Sequence, residues 1–146
     1  SYQEFIKSQT ALRKGINNEP DDTQLYNMKM ICLNILEPIR TTFDRPVIIT
    51  SGFRSVELCE AIGSSSKSQH AKGEAVDFEI PGVSNKEVAD WIDENLPYDQ
   101  LILEFFDGKD PNSGWIHCSH KANDNRGQYL IAFKNKQGKT EYASAI

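Results

Sequence analysis

The sequence predicts an α+β fold with a mainly antiparallel sheet flanked by helices. Helical periodicity fills the first third, whereas short apolar or alternating runs crowd the second half. Helices placed first and neighbouring strands placed late mark α+β rather than alternating units. The last runs are separated by short polar turns suited to hairpins. A length of 146 residues fits one domain, residues 1–146, with one substantial core.

Residues 1–20 carry little periodicity and end in Asn18-Glu19-Pro20, so they read as an N-terminal arm and loop. Asp21, Asp22 and Thr23 are N-cap candidates for a long amphipathic helix. Its apolar positions are Leu25, Met28, Ile31, Cys32, Ile35, Leu36, Ile39 and Phe43, and Pro38 should kink it or end its regular part. A short strand follows from Val47 to Thr50. Ser55 can cap a helix through Ile62 that Gly63 ends. A small-residue loop leads to a strand from Ala75 to Ile80. Ser84 and Glu87 form a capping box for a helix to about Asn95, which Pro97 terminates. Strands are expected at 101–106 and 115–119 around a polar turn, and a last hairpin at 129–134 and 140–142.

The formal charge of −5 argues against a nucleic-acid surface. No run of about 18 apolar residues predicts a membrane span, and no basic start followed by an apolar run marks a signal peptide. Cys32, Cys59 and Cys118 are odd in number and lack metal-type spacing. They read as small buried hydrophobes in a protein made in the reducing cytoplasm. The expected molecule is a monomer that binds neither nucleic acid nor membrane.

The chemistry concentrates in His70, Asp77 and His117. Two imidazoles and one carboxylate suit a mononuclear zinc site, with nitrogen and oxygen ligands at roughly 2.0–2.2 Å and a fourth position open for water or substrate. His70 precedes a strand that carries Asp77, and the seven-residue separation suits a loop folded back beside its own strand. Gly73 would let the backbone approach the ion or take an unusual φ. His117 must arrive from a second, antiparallel strand. His120 competes as a ligand, but strand alternation puts Trp115, His117 and Ser119 on one face and Cys118 and His120 on the other. His120 therefore reads as a surface imidazole or one behind the ligands.

Glu104 is the candidate general base. It interrupts the apolar run Leu101-Ile102-Leu103-Glu104-Phe105-Phe106, where apolar neighbours should raise its pKa. Arg54 is either a substrate carboxylate clamp or a structural ion pair. Ser68 and Gln69 either hydrogen-bond substrate or shape their turn. Trp115 either stacks beside the site or is an ordinary half-buried hairpin tryptophan.

These residues resemble the zinc D-alanyl-D-alanine carboxypeptidase and hedgehog-type peptidase family, in its phage-associated branch. Ser68-x-His70-x-x-Gly73-x-Ala75-x-Asp77 is similar to the family's first metal motif, and Ser51-Gly52-Phe53-Arg54-Ser55 to its upstream arginine motif. Asp99 to Glu104, followed by Gly114-Trp115-Ile116-His117, resembles its catalytic glutamate and third ligand. The N-terminal part, with Thr10-Ala11 and Asn18-x-Pro20, is similar to that branch as well. The resemblance implies a hedgehog/DD-peptidase fold with one zinc ion on His70, Asp77 and His117. It implies Glu104 as base, Arg54 in substrate binding, and cleavage of peptidoglycan stem peptides at bonds involving D-amino acids, at the bacterial wall. Many bacterial carboxypeptidases of the family carry an acidic residue three positions before the last histidine, where this chain has Gly114. The base role then falls to Glu104. The competing expectation is a zinc-stabilised wall-peptide-binding or phage structural module without turnover.

Overall fold

Caps and apolar stripes set the helices in the computed structural model, which describes residues 1–146. Asp21 accepts from the Gln24 N–H and the Gln24 side chain accepts from the Asp21 N–H, both at 2.8 Å, so α3 (Asp22–Ile31) starts at a full capping box. Pro38 has no N–H to donate and crowds the carbonyl four residues back. The helix answers with a wider π-type turn (Cys32–Leu36), closed by the Glu37 N–H on the Cys32 carbonyl, before α4 (Glu37–Phe43). The expected kink at Pro38 is therefore a bulge in the turn that precedes it.

The expected N-terminal arm and loop instead holds two short helices, α1 (Tyr2–Ile6) and α2 (Gln9–Lys14). Ser1 caps the first in a capping box with Glu4, and Ser8 caps the second. Helices this short are marginal alone. Burial of Phe5 and Ala11 holds them to the body of the protein.

Six strands form one sheet in the order β1-β2-β4-β3-β5-β6. They are β1 (Ile48–Ser51), β2 (Ala75–Glu79), β3 (Gln100–Glu104), β4 (Trp115–Ser119), β5 (Gln128–Lys134) and β6 (Thr140–Ser144). Every pairing is antiparallel except β3 with β5. The parallel return is fixed by Asp99, which is fully buried at the start of β3. Its carboxylate accepts from the Arg126 guanidinium at 2.7 and 3.1 Å, from the Arg126 backbone N–H at 2.9 Å and from Gln69 at 3.0 Å. Burial pushes its pKa up, but these donors hold it well below the usual carboxylate range.

Strand alternation gives the sheet two unlike faces. One presents Val76, Phe78, Leu101, Leu103, Ile116 and Cys118, all fully buried. They join Ile31, Ile35 and Ile39 from the long helix, Leu58 of α5 (Val56–Ala61) being buried apart from them, and Val88, Ala89 and Ile92 from α6 (Asn85–Asn95) in one cluster of 19 buried residues. Ser84 caps α6 by accepting from the Glu87 N–H. Buried Asn85 then donates to the carbonyls of Asn112, Ser113 and Gly114 at 3.0–3.3 Å, which pins the turn between β3 and β4. No helix is long and apolar enough to cross a membrane.

Candidate metal centre

The other face of the sheet carries the polar residues in registered rows. Asp77 on β2, His117 on β4 and Ile102 on β3 lie opposite one another. The next row places Trp115 opposite Glu104. Because β4 sits between β2 and β3, the second histidine meets the aspartate from a strand distant in sequence.

His70 reaches the same point from a 3-10 turn, Gln69–Lys72, which was expected to be plain loop. Ser68 caps that turn by accepting from the His70 N–H at 3.2 Å, so shaping the turn is one thing Ser68 does. Gly73 ends the turn with φ +77, and a Cβ there would stand 2.4 Å from the Gln24 carbonyl of α3. The unusual φ is as expected, and the close neighbour is helix backbone.

The tautomer of His70 follows from its contacts. Its Nδ1 lies 2.7 Å from the Gly52 carbonyl, which only accepts, so Nδ1 carries the hydrogen and donates. Burial lowers the pKa of this ring and favours the neutral form. Nε2 therefore offers a lone pair, and it faces Asp77 Oδ1 at 3.4 Å. His117 donates from Nδ1 to the same oxygen at 2.9 Å. Burial would raise the Asp77 pKa, but the His117 hydrogen bond and the two imidazoles beside it hold it far below the usual carboxylate range.

The three ligand-type atoms lie within 4.8 Å of one another, a group that can hold a metal ion. An ion with ligands at about 2.1 Å in tetrahedral geometry separates them by about 3.4 Å. The 3.4 Å between His70 Nε2 and Asp77 Oδ1 matches that spacing, and the 2.9 Å between His117 Nδ1 and Asp77 Oδ1 is a hydrogen bond that an ion would replace. The donor set also fits, with a neutral imidazole fixed by a carbonyl behind it and an ionised carboxylate.

A cleft of about 400 Å³ opens on this group and is bordered by Arg54, Ser68, Glu104, Trp115 and, from the last strand, Tyr142. Glu104 is half-buried. Its pKa is raised by burial, with Asp77 adding to the rise and His117 and Arg54 opposing it. Arg54 makes no ion pair, and its Nε is buried without a partner, so the structural ion pair does not form. Trp115 packs against Phe105 with ring centroids 5.4 Å apart. Gln69 turns to Asp99 and serves the loop. His120 stands outside the group and is 9% exposed, so it is not a surface residue. Its N–H bonds the Glu74 carbonyl at 2.9 Å, which prolongs the pairing of β4 with the approach to β2 and tucks the ring inside. Gly114 has φ +69, and a Cβ there would stand 1.8 Å from the Glu104 carbonyl. The hairpin that presents Glu104 thus excludes an acidic side chain at position 114.

Two supporting residues went unnoticed in the sequence. Gly52 approaches Phe5 so closely that a Cβ would lie 2.7 Å from the Phe5 carbonyl. Asn18, also buried, donates to the carbonyls of Ile6 and Phe53 and accepts from the Ser55 N–H. Together they lock the carbonyl that orients His70. The motif spelling Ser51-Gly52-Phe53-Arg54 pointed to Arg54 and gave no sign of this backbone role.

A family model described as Peptidase M15 matches residues 1–119, which contain the three metal-type side chains and Glu104. No curated protein matches the sequence. The match spans most of the chain, so this protein belongs to the peptidase M15 family.

Proposed function

We propose that the chain is a zinc-dependent metallopeptidase that hydrolyses peptidoglycan stem peptides at bonds involving D-amino acids. One observation carries the reading: His70, Asp77 and His117 converge beside a half-buried Glu104 in an open cleft. Membership in the peptidase M15 family agrees with it. We further read residues 1–146 as one monomeric domain of hedgehog/DD-peptidase type, in a phage or prophage protein acting at the bacterial wall.

His70 Nε2, an Asp77 oxygen and His117 Nδ1, its hydrogen given up on metal binding, would hold one zinc ion. When bound, zinc supplies Lewis-acid polarisation of water and of the scissile carbonyl. Glu104 takes the proton of the attacking water at its carboxylate and delivers it to the leaving amine. Its raised pKa suits a group that must both accept and return a proton. The unpaired Arg54 guanidinium binds a carboxylate of the stem peptide, and Trp115 and Ser68 border the bound chain.

The test is hydrolysis of purified muropeptides at one zinc per chain, with Glu104→Ala beside the wild type. The expected loss in the variant is about 10²–10⁴-fold, the usual worth of a positioned acid–base group. Undiminished activity would remove Glu104 as the base. Peptide binding without turnover under zinc-replete conditions would instead make the protein a wall-peptide-binding module.

A further inference from the structure

The row that holds Glu104 continues beyond β3. Glu104 pairs with Ala132 on β5, and Ala132 with Tyr142 on β6. Registered partners point to the same face of a sheet. The row therefore reads Trp115, Glu104, Ala132, Tyr142, with an aromatic ring at each end. Ala132 is fully buried and bears only a methyl group, so no large β5 side chain separates Glu104 from Tyr142. Strands about 4.8 Å apart put Tyr142 about 10 Å from Glu104 along the sheet, and the phenol spans much of that distance. Tyr142 borders the same cleft as His70, Asp77 and His117.

Its hydroxyl is uncommitted. Tyr98 and Tyr129 donate theirs to Asp93 and Asp90. Tyr142 has no such acceptor and is 56% exposed. Desolvation and the Glu104 charge both raise its pKa, so the hydroxyl keeps its proton across the neutral range. A neutral donor beside an anionic carboxylate suits an uncharged carbonyl, since a second anion there would be repelled by Glu104.

We propose that Tyr142 is a substrate-contacting residue: its hydroxyl donates to a backbone carbonyl of the bound stem peptide, and its ring closes the cleft opposite Trp115. The assignment rests on the peptidase reading above. It concerns a strand outside the residues that the family model covers.

The experiment compares Tyr142→Phe, Tyr142→Ala and the surface control Tyr26→Phe in muropeptide hydrolysis. It also measures muropeptide binding by calorimetry in a Glu104→Gln background. Removing one hydrogen bond should lower kcat/KM about three- to tenfold in Tyr142→Phe, mostly through KM, and weaken binding equally. Tyr142→Ala should lose more, because the ring goes too, while Tyr26→Phe stays at the wild-type value. Zinc content and Tm should be unchanged throughout, which a merely structural tyrosine would not allow. Active wild type with Tyr142 variants within twofold of it in both assays would overturn this role alone. Wild type that neither cleaves nor binds muropeptides would overturn the peptidase reading and the Tyr142 role with it.

Discussion

The two faces of one sheet obey opposite rules. On the helix-covered face Val76, Phe78, Leu101, Leu103, Ile116 and Cys118 are fully buried, and their contribution is apolar area removed from water. On the open face the same strands present Asp77, Glu104, Trp115 and His117, none of them fully buried. A one-residue step along β4, from Ile116 to His117, crosses from a position that stabilises the fold to one that gathers chemistry. Stability and activity should therefore separate by face.

The largest effect expected on the open face is His117→Ala. It removes one of three metal-type donors and leaves Asp77 with only the longer His70 contact. Zinc per chain, measured by elemental analysis after dialysis, should fall from about one to near zero, since the open catalytic geometry has only three protein ligands to begin with. Muropeptide hydrolysis should disappear with it. Retention of one tightly held zinc in this variant would show that the ion sits elsewhere.

Leu103→Ala makes the converse cut on the covered face. Leu103 is fully buried between Ile102 and Glu104, and truncating a core leucine costs about 2–5 kcal/mol. Denaturant unfolding should show that loss, while zinc affinity and kcat per folded molecule stay close to wild type. A Leu103→Ala protein that is stable but catalytically impaired would break the separation of the faces.

An intermediate effect belongs to Asn18, which lies on neither face but ties the end of α1 to Phe53 and Ser55, next in the chain to the Gly52 carbonyl behind His70. Its side chain makes three hydrogen bonds, at 2.8, 3.1 and 2.7 Å. Asn18→Ala should cost about 1–3 kcal/mol of stability, because it strands a buried backbone N–H and two carbonyls. Zinc affinity, read by chelator competition, should weaken by less than the roughly tenfold lost when a ligand's direct partner is removed. Unchanged zinc affinity would mean that Gly52 holds His70 without help.

These contrasts also explain what could be read from the sequence. Alternation in Trp115-Ile116-His117-Cys118-Ser119 was enough to assign faces, because a strand has period two and nothing interrupts it. Ser55, Ser84 and Asp21 announced their helices because a cap is a local hydrogen bond. The helices of residues 1–20 stayed hidden because five or six residues show too little periodicity, and their stability comes from Phe5 and Ala11 docking elsewhere. The parallel pairing of β5 with β3 was equally illegible, since it depends on Asp99 receiving Arg126 across 27 residues. For that reason Tyr142, a site residue only through this pairing, looked like the end of an ordinary hairpin. Ile102 and Gln100 border the cleft by a different route, since β3 pairs with β4 and sets Ile102 opposite His117.

The smallest expected effect on stability belongs to Glu104, and it runs opposite in sign to the effect on activity. Burial raises the Glu104 pKa in the folded chain, so folding favours its protonated form. A raised folded pKa gives a contribution that is complete below the unfolded value, about 4.3 for glutamate, and is lost as pH rises through the folded value. At neutral pH the ionised Glu104 therefore costs the metal-free protein stability. Glu104→Gln, which keeps the shape without the charge, should raise the Tm of metal-free protein at pH 7 and leave it unchanged near pH 3, while abolishing hydrolysis. Added zinc should shrink the difference at pH 7, because a cation beside the carboxylate favours its charged form. NMR titration of the Glu104 carboxyl should follow the same course: above the ordinary glutamate range in metal-free protein, and lower once zinc is bound. A carboxyl that titrates normally in metal-free protein would mean that Glu104 is solvated like any surface glutamate, and the open face would then lack a group tuned to move a proton.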